Sequence, residues 1–304
     1  MKDIGHLWAI LLAAGDGNRV RSLTIDAAGE AVPKQFWSMD GRGSLLRRTI
    51  QRAAALVPMN RVVPVVALQH RHWWDEELAD IPPQNVAVQP QNKGTAAGIL
   101  LPFMHIVQRD PMARILVLPC DQFVDNEGLL RQAIITGLQV AQRHDDRVVL
   151  LGMKPEDSDP EYGWIVPTGS IDAGAAKMVS TFIEKPDPAT AMRLAHRGGL
   201  LNSLILVATA RALLQLYDRA TPRLVAGFVN WRDESPGGWQ DLQALYRALP
   251  SYDFSRHVLE ASVDWLSVVP VAFCGWIDLG TPTRLRPFLT HPAARDSAFA
   301  QSHC

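Results

Sequence analysis

Three segments of this 304-residue sequence carry side chains whose types and spacing could do chemistry. The first is Ala13-Ala14-Gly15-Asp16-Gly17-Asn18-Arg19, directly after the apolar run Leu7–Leu12. Glycines at a strand exit let backbone N–H groups approach phosphate oxygens with no Cβ in the way. Arg19 adds a permanently charged planar fork that suits phosphate. The second is Gln89-Pro90-Gln91-Asn92-Lys93-Gly94-Thr95-Ala96-Ala97, where an apolar stretch gives way to a helical pattern. The N–H groups of a helix start, with small residues around them, suit a base or a phosphate. The third is Asp121, just past the apolar run Arg114–Leu118. A carboxylate there sits at the ligand edge of an α/β sheet. Each segment also has a plain structural reading: a tight turn, an N-cap at Thr95, a turn aspartate.

Several chemistries are excluded by pattern. The Walker A sequence GxxxxGK[ST] is absent, and the dinucleotide fingerprint GxGxxG fails because Val20 stands at its last glycine. That removes the usual warrant for a nicotinamide oxidoreductase. No GxSxG nucleophile elbow occurs. His70 and His72 lack a third ligand at metal-binding spacing, and Trp73 and Trp74 read as helix packing. A net charge of −1 gives no basic field for nucleic acid. Cys120, Cys274 and Cys304 are widely spaced, which fits a reducing compartment. The apolar run from Leu7 is short of the roughly 20 residues of a membrane span, and no signal-peptide pattern precedes it. The expectation is a cytoplasmic protein with no membrane partner.

The elements that must position these residues follow from short apolar runs alternating with amphipathic ones, the mark of parallel βαβ units. Strands are expected at Leu7–Leu12, Arg61–Leu68, Val86–Val88, Arg114–Leu118 and Val148–Gly152. Helices are expected between them at Ser44–Leu56, His72–Ala79, Thr95–Gln108 and Glu127–His144. After about residue 152 the rhythm changes. Trp164–Val166, Val179–Glu184, Leu204–Ala208 and Trp265–Pro270 read as strands of a mixed section. Ala210–Asp218, Gln240–Leu249 and Arg256–Ala261 read as its helices. One domain over 1–290 is expected, with a nucleotide half to about 152, a second-substrate half over 153–290, and a frayed tail over 291–304.

LLAAGDGNRVRSLT followed by VPKQF resembles the opening signature of the sugar-1-phosphate nucleotidylyltransferases, G-G-x-G-T-R-L-x-P-L and then P-K. PKQF is similar to the mannose-1-phosphate guanylyltransferase branch in particular. Ala14, Asn18 and Ser22 depart from the signature. The resemblance continues in Gln89–Ala97 (E-P-x-x-R-N-T-A-P-A in the family), Leu118-Pro119-Cys120-Asp121 (L-P-S-D) and Glu161-Tyr162-Gly163-Trp164-Ile165 (G-Y-G-Y-I). It extends to Phe182-Ile183-Glu184-Lys185-Pro186 (F-x-E-K-P), Leu201-Asn202-Ser203-Leu204 (W-N-S-G) and Gly275-Trp276-Ile277-Asp278-Leu279-Gly280 (G-W-x-D-x-G). Tyr252–Glu260 resembles the stretch S-I-D-Y-A-V-M-E-K more loosely. Leucine at 204 replaces the family's glycine.

The resemblance implies a Rossmann-like three-layer α/β/α nucleotidyltransferase fold, glycosyltransferase-A-like, with a mixed, mainly parallel sheet. It implies transfer of a nucleotidyl group from a nucleoside triphosphate to a hexose 1-phosphate, releasing pyrophosphate, with GTP and mannose 1-phosphate the first choice. It assigns Ala13, Ala14, Gly15, Gly17, Asn18, Gln89, Gly94 and Thr95 to the nucleotide. It assigns Gly163, Glu184, Lys185 and Asn202 to the sugar phosphate. Arg19 and Lys34 become the charges that neutralise the phosphates, and Asp121 and Asp278 the ligands of Mg²⁺, a hard cation that wants oxygen. A homodimer is compatible with the sequence. The family often adds a C-terminal β-helix or cupin-like domain, and regulation through one is expected to be absent here. UTP, dTTP or CTP with glucose 1-phosphate, and a non-catalytic nucleotide-sugar-binding regulator, stay open as alternatives.

Overall fold

The computed structural model describes residues 5–26, 28–169, 175–234 and 238–290. The tail expected to fray lies outside the described residues. The strands are β1 Leu7–Ala13, β2 Val62–Ala67, β3 Ala87–Gln89, β4 Arg114–Pro119, β5 Gln122–Phe123, β6 Val148–Met153, β7 Gly163–Pro167, β8 Lys177–Glu184, β9 Leu200–Thr209, β10 Leu266–Val271 and β11 Ile277–Asp278. The helices are α1 Leu45–Ala54, α2 Arg71–Glu77, α3 Gly94–Arg109, α4 Glu127–Arg143, α5 Pro188–His196, α6 Ala210–Ala220, α7 Pro222–Glu234, α8 Trp239–Ala248 and α9 Pro282–Thr290.

Nine strands form one sheet in the order β3-β2-β1-β4-β9-β6-β10-β8-β7. Traced through the pairings from β1, only β8 and β9 run against the rest. The sheet is therefore mixed and mainly parallel, as the fold class requires. β9 joins the two halves: it pairs antiparallel with β4 on one side and β6 on the other.

The strands are apolar on both faces because helices cover both. Trp8 and Ile10 of β1 point into a core shared with α3, α6, α7 and α8. Leu7, Ala9 and Leu11 point into the opposite core, built with α1, α2, α4 and α5. This alternation with period two gives the three-layer arrangement. Cys120 and Cys274 are buried free thiols. Among the described residues no helix is long and apolar enough to cross a membrane.

The sheet reading of the sequence located the parallel strands but left several elements out. α5, α7 and α9 were not anticipated, nor was the small β5–β11 ladder. The helix expected at Arg256–Ala261 is instead a π-helical turn, Ser255–Leu259, running into a 3-10 segment, Glu260–Trp265. Thr95 is not an N-cap: α3 starts at Gly94, and the Thr95 hydroxyl accepts from the Phe254 N–H at 2.7 Å.

Candidate active site

A cleft of about 460 Å³ opens over the C-terminal ends of β1 and β4. Its construction depends on a third, smaller core formed by Val20, Trp37, Met39, Leu45, Phe123, Leu279, Leu285 and Phe288. Val20 follows Arg19, Trp37 is three residues past Lys34, Phe123 is two past Asp121, and Leu279 follows Asp278. Four loops distant in sequence are thus pinned by apolar anchors beside their polar residues. Burial of such anchors, at about 25 cal/mol per Å² of apolar surface, holds the charged groups together against their own hydration.

The two aspartates meet through the β5–β11 ladder. Asp278 pairs with Gln122 in register, and the Leu279 N–H donates to the Asp121 carbonyl at 3.3 Å. Lys34, buried in a 3-10 turn over Lys34–Phe36, places its ammonium between the carboxylates. Nζ lies 3.0 Å from Asp121 Oδ2 and 3.5 Å from Asp278 Oδ1. Burial alone would push the Lys34 ammonium down in pKa. The two carboxylates overcome that and hold it above its ordinary value. Burial pushes the Asp278 carboxyl up, with Lys34 and Arg284 opposing and the Asp121 charge reinforcing.

Arg284, on α9, completes this network. Its guanidinium donates to Asp278 Oδ2 at 3.0 Å and to Asp159, and its Cζ lies 3.8 Å from the Tyr162 ring centroid. Trp276 packs on Tyr162 and donates its indole N–H to Gln122 Oε1 at 2.8 Å. Asp278 is thereby held between two cations and aimed into the cleft.

On the opposite wall, Gln35 holds the glycine loop. Its amide donates to the carbonyls of Ala13 at 2.9 Å and Gly15 at 2.8 Å. Asp16 ties the same loop to neighbouring strand ends, accepting from Gln69 at 2.6 Å and Asn92 at 3.2 Å. Gly15, Gly17, Asn18 and Arg19 line the cleft, with Arg19 paired to Glu161 at 2.9 Å in an exposed bridge. Ala13, Ala14, Gln89 and Gly94 do not line it. Ala13 and Gln89 are buried strand ends. Gly94 has φ +84° and packs against the Tyr252 carbonyl, where any Cβ would clash. Its requirement for glycine is met by that close approach.

The remaining wall comes from the second half of the sheet. Gly163, Glu184, Lys185 and Asn202 all line the cleft, as does Thr95. A side chain at Gly163 would collide with the Glu184 carboxylate, so the glycine makes room for that carboxylate. Burial pushes the Glu184 carboxyl up to about 7. Asp253 and Glu260 act in the same sense, and Lys185 and Arg256 oppose. Asn202 donates to Ser255 Oγ at 3.1 Å and accepts from the Leu204 N–H at 3.0 Å. It sits at a bulge of β9 against β6, the kind of irregularity that re-aims a side chain. Leu204, at that bulge, has φ +57°, a conformation costing a leucine on the order of 1–2 kcal/mol.

Gln35, Asp16 and Arg284 were missed by sequence reasoning. Gln35 carried a usable signal, its place directly after Lys34. Arg284 carried only its place six residues after Asp278, since its other partner, Asp159, is 125 residues away in sequence.

Lys34, Lys185, Arg19 and Arg284 all line the cleft, and such cations can bind phosphates and counter their charge. Asp121 and Asp278 offer hard oxygen donors beside space for phosphate oxygens, a set that fits a Mg²⁺ ion bound by one or two carboxylates and its substrate.

Comparison with known proteins places the chain. Residues 8–288 match the nucleotidyl transferase family. The alginate biosynthesis protein AlgA of Pseudomonas syringae is 26% identical over 279 residues, covering 89% of this chain and 56% of that protein. Mannose-1-phosphate guanylyltransferase RfbM of Salmonella typhimurium is 31% identical over 188 residues, covering 60% of this chain and 37% of its own length. The chain spans little more than half the length of AlgA. Among solved structures, one titled mannose-1-phosphate geranyltransferase from Thermus thermophilus superimposes with a TM-score of 0.78 at 24% identity, covering 94% of this chain and 80% of that one.

Proposed function

The chain belongs to the nucleotidyl transferase family, and from that premise we propose that it transfers a nucleotidyl group from GTP to mannose 1-phosphate, forming GDP-mannose and pyrophosphate. The observation that carries this reading is the convergence of Lys34, Asp121 and Asp278 on one point of the cleft. The glycine loop lies on one side of that point and the Glu184–Lys185 wall on the other.

A phosphate oxygen of the sugar 1-phosphate attacks the α-phosphorus in line. The bond to the bridging oxygen of the β-phosphate breaks, and pyrophosphate departs with that electron pair. The nucleophile is already an anion, so neither a general base nor a covalent enzyme intermediate is required. The catalytic task is to bring two anions together and counter the charge that spreads over the phosphates. Lys34 supplies buried positive charge at the centre, and Arg19 supplies it at the mouth of the nucleotide side. Gln35 fixes the glycine loop whose N–H groups face the triphosphate. Lys185 takes the sugar phosphate, while Glu184 and Asn202 take sugar hydroxyls. Asp121 and Asp278 would hold Mg²⁺, which supplies Lewis-acid polarisation of phosphate oxygens.

The guanylyl and mannosyl choices draw support from the PKQF motif and from relatives named mannose-1-phosphate guanylyltransferase. The test is pyrophosphate release from nucleoside triphosphate that depends on added sugar 1-phosphate. Release that disappears in Asp278→Asn supports the assignment. Wild-type turnover in that variant removes Asp278 from the machinery.

A further inference from the structure

Between the register pairs Gly152–Asn202 and Leu150–Leu206, β9 places Ser203, Leu204 and Ile205 opposite the single residue Leu151 of β6. Backbone groups inside such a bulge lose regular ladder partners and need others. Side chains supply them here. The Leu204 N–H donates to Asn202 Oδ1 at 3.0 Å, and the Ile205 N–H donates to Ser203 Oγ at 3.1 Å. The Ser203 hydroxyl in turn donates to the Leu151 carbonyl at 2.7 Å. The Ser203 carbonyl accepts at 2.6 Å from Nε2 of Gln122, 81 positions away in the sequence.

Gln122 is buried, lines the cleft next to Asp121, and pairs in register with Asp278. Its Oε1 accepts the Trp276 indole N–H at 2.8 Å. A carbonyl can only accept and an indole N–H can only donate, so both ends of the Gln122 amide are fixed. A glutamate carboxylate could accept from Trp276 but has nothing to donate to Ser203, and methionine offers no donor either. The Ser203–Leu204 peptide is thus gripped on both sides: its N–H by Asn202, its C=O by Gln122. That grip holds Leu204 at φ +57°, a conformation a leucine leaves once released. The same peptide aims Asn202, whose Oδ1 it engages.

We infer that Gln122 is a positioning residue: it sets the aim of Asn202 through the Ser203–Leu204 peptide and so ties the sugar wall to the loop that carries Asp121. The inference rests on the assignment of Asn202 to the sugar. Loss of the bond to Ser203 leaves Lys34 and both carboxylates in place while Asn202 loses its direction.

The test compares wild type, Gln122→Met, Leu204→Gly and the double variant by hydrogen exchange of the full chain and by pyrophosphate release. In Gln122→Met the Leu204 and Ile205 amides should exchange about tenfold faster, the factor one buried hydrogen bond supplies, with β4 and β6 unchanged. The KM for mannose 1-phosphate should rise by about the same factor, with little change in the KM for GTP. Glycine adopts a positive φ freely, so a glycine turn has no strain to resist. The rise caused by Gln122→Met should therefore be smaller in the Leu204→Gly background. If Gln122→Met fails to fold, Gln122→Glu, which keeps an acceptor for Trp276, is read by exchange alone. Unchanged exchange at these two amides overturns the proposal. So does a KM that rises equally for both substrates, or by the same factor in both backgrounds. A wild type inert with every pair of nucleotide and sugar 1-phosphate removes the catalytic reading, and exchange at the two amides then decides whether Gln122 holds the turn.

Discussion

Glu184→Gln isolates the electrostatics of the sugar wall. In the unfolded chain the Glu184 carboxyl ionises near its usual 4.5, whereas in the fold burial keeps it protonated until about 7. Between those values the folded chain holds a proton that the unfolded chain has released. Stability contributed by this residue is therefore full at low pH and falls as pH rises. At about 1.36 kcal/mol per pH unit of displacement, the loss reaches about 3 kcal/mol by neutral pH and is constant above it. Glutamine does not titrate, so the variant escapes this loss. Urea unfolding of both proteins at about pH 4 and about pH 8 reads the effect. The variant should gain about 3 kcal/mol on the wild type between the two conditions. A difference that does not move with pH, or that moves toward the wild type, refutes the burial argument.

Lys34→Ala removes the ammonium between Asp121 and Asp278, and turnover should fall on the order of 10²–10³ in steady-state pyrophosphate release. Gln35→Leu removes both amide bonds to the glycine loop. The nucleotide KM should rise about tenfold, with a smaller change in the KM for sugar phosphate. Leu204→Gly relieves the left-handed leucine and removes its side chain from the cleft wall. The kcat/KM ratio between hexose 1-phosphate epimers should shrink, by up to the roughly 10–200-fold that apolar pocket contacts supply.

The sheet was legible because its strands are apolar on both faces and flanked by amphipathic runs, so β1, β2, β4 and β6 stand out by composition alone. α9 did not, since Pro282 begins it and Pro287 interrupts it, and proline reads as a helix breaker. α5 follows an Asp187 cap and a proline at its first turn, a start signal that its short apolar face obscured. Lys34, Asp121, Glu184, Lys185 and Asp278 sit in motifs with distinctive neighbours, and the fold gathers all five in one cleft. Gln89 and Gly94 sit in motifs too, yet one is buried under α3 and the other faces the Tyr252 carbonyl. Motif position there reported backbone geometry, and only the fold separates that from ligand contact. The third core was invisible because its members are single apolar residues spread from Val20 to Phe288, with no periodicity to join them.

The central claim is guanylyl transfer to mannose 1-phosphate in the cleft between the glycine loop and the Glu184–Lys185 wall. It is tested most directly by pyrophosphate release with Mg²⁺ for GTP, UTP, dTTP and CTP, each offered mannose 1-phosphate and glucose 1-phosphate. GTP with mannose 1-phosphate is predicted to give the highest kcat/KM, with GDP-mannose as product. An inert GTP–mannose 1-phosphate pair beside another pair that turns over would contradict the substrate assignment. Tight nucleotide-sugar binding with no turnover for any pair would contradict catalysis itself.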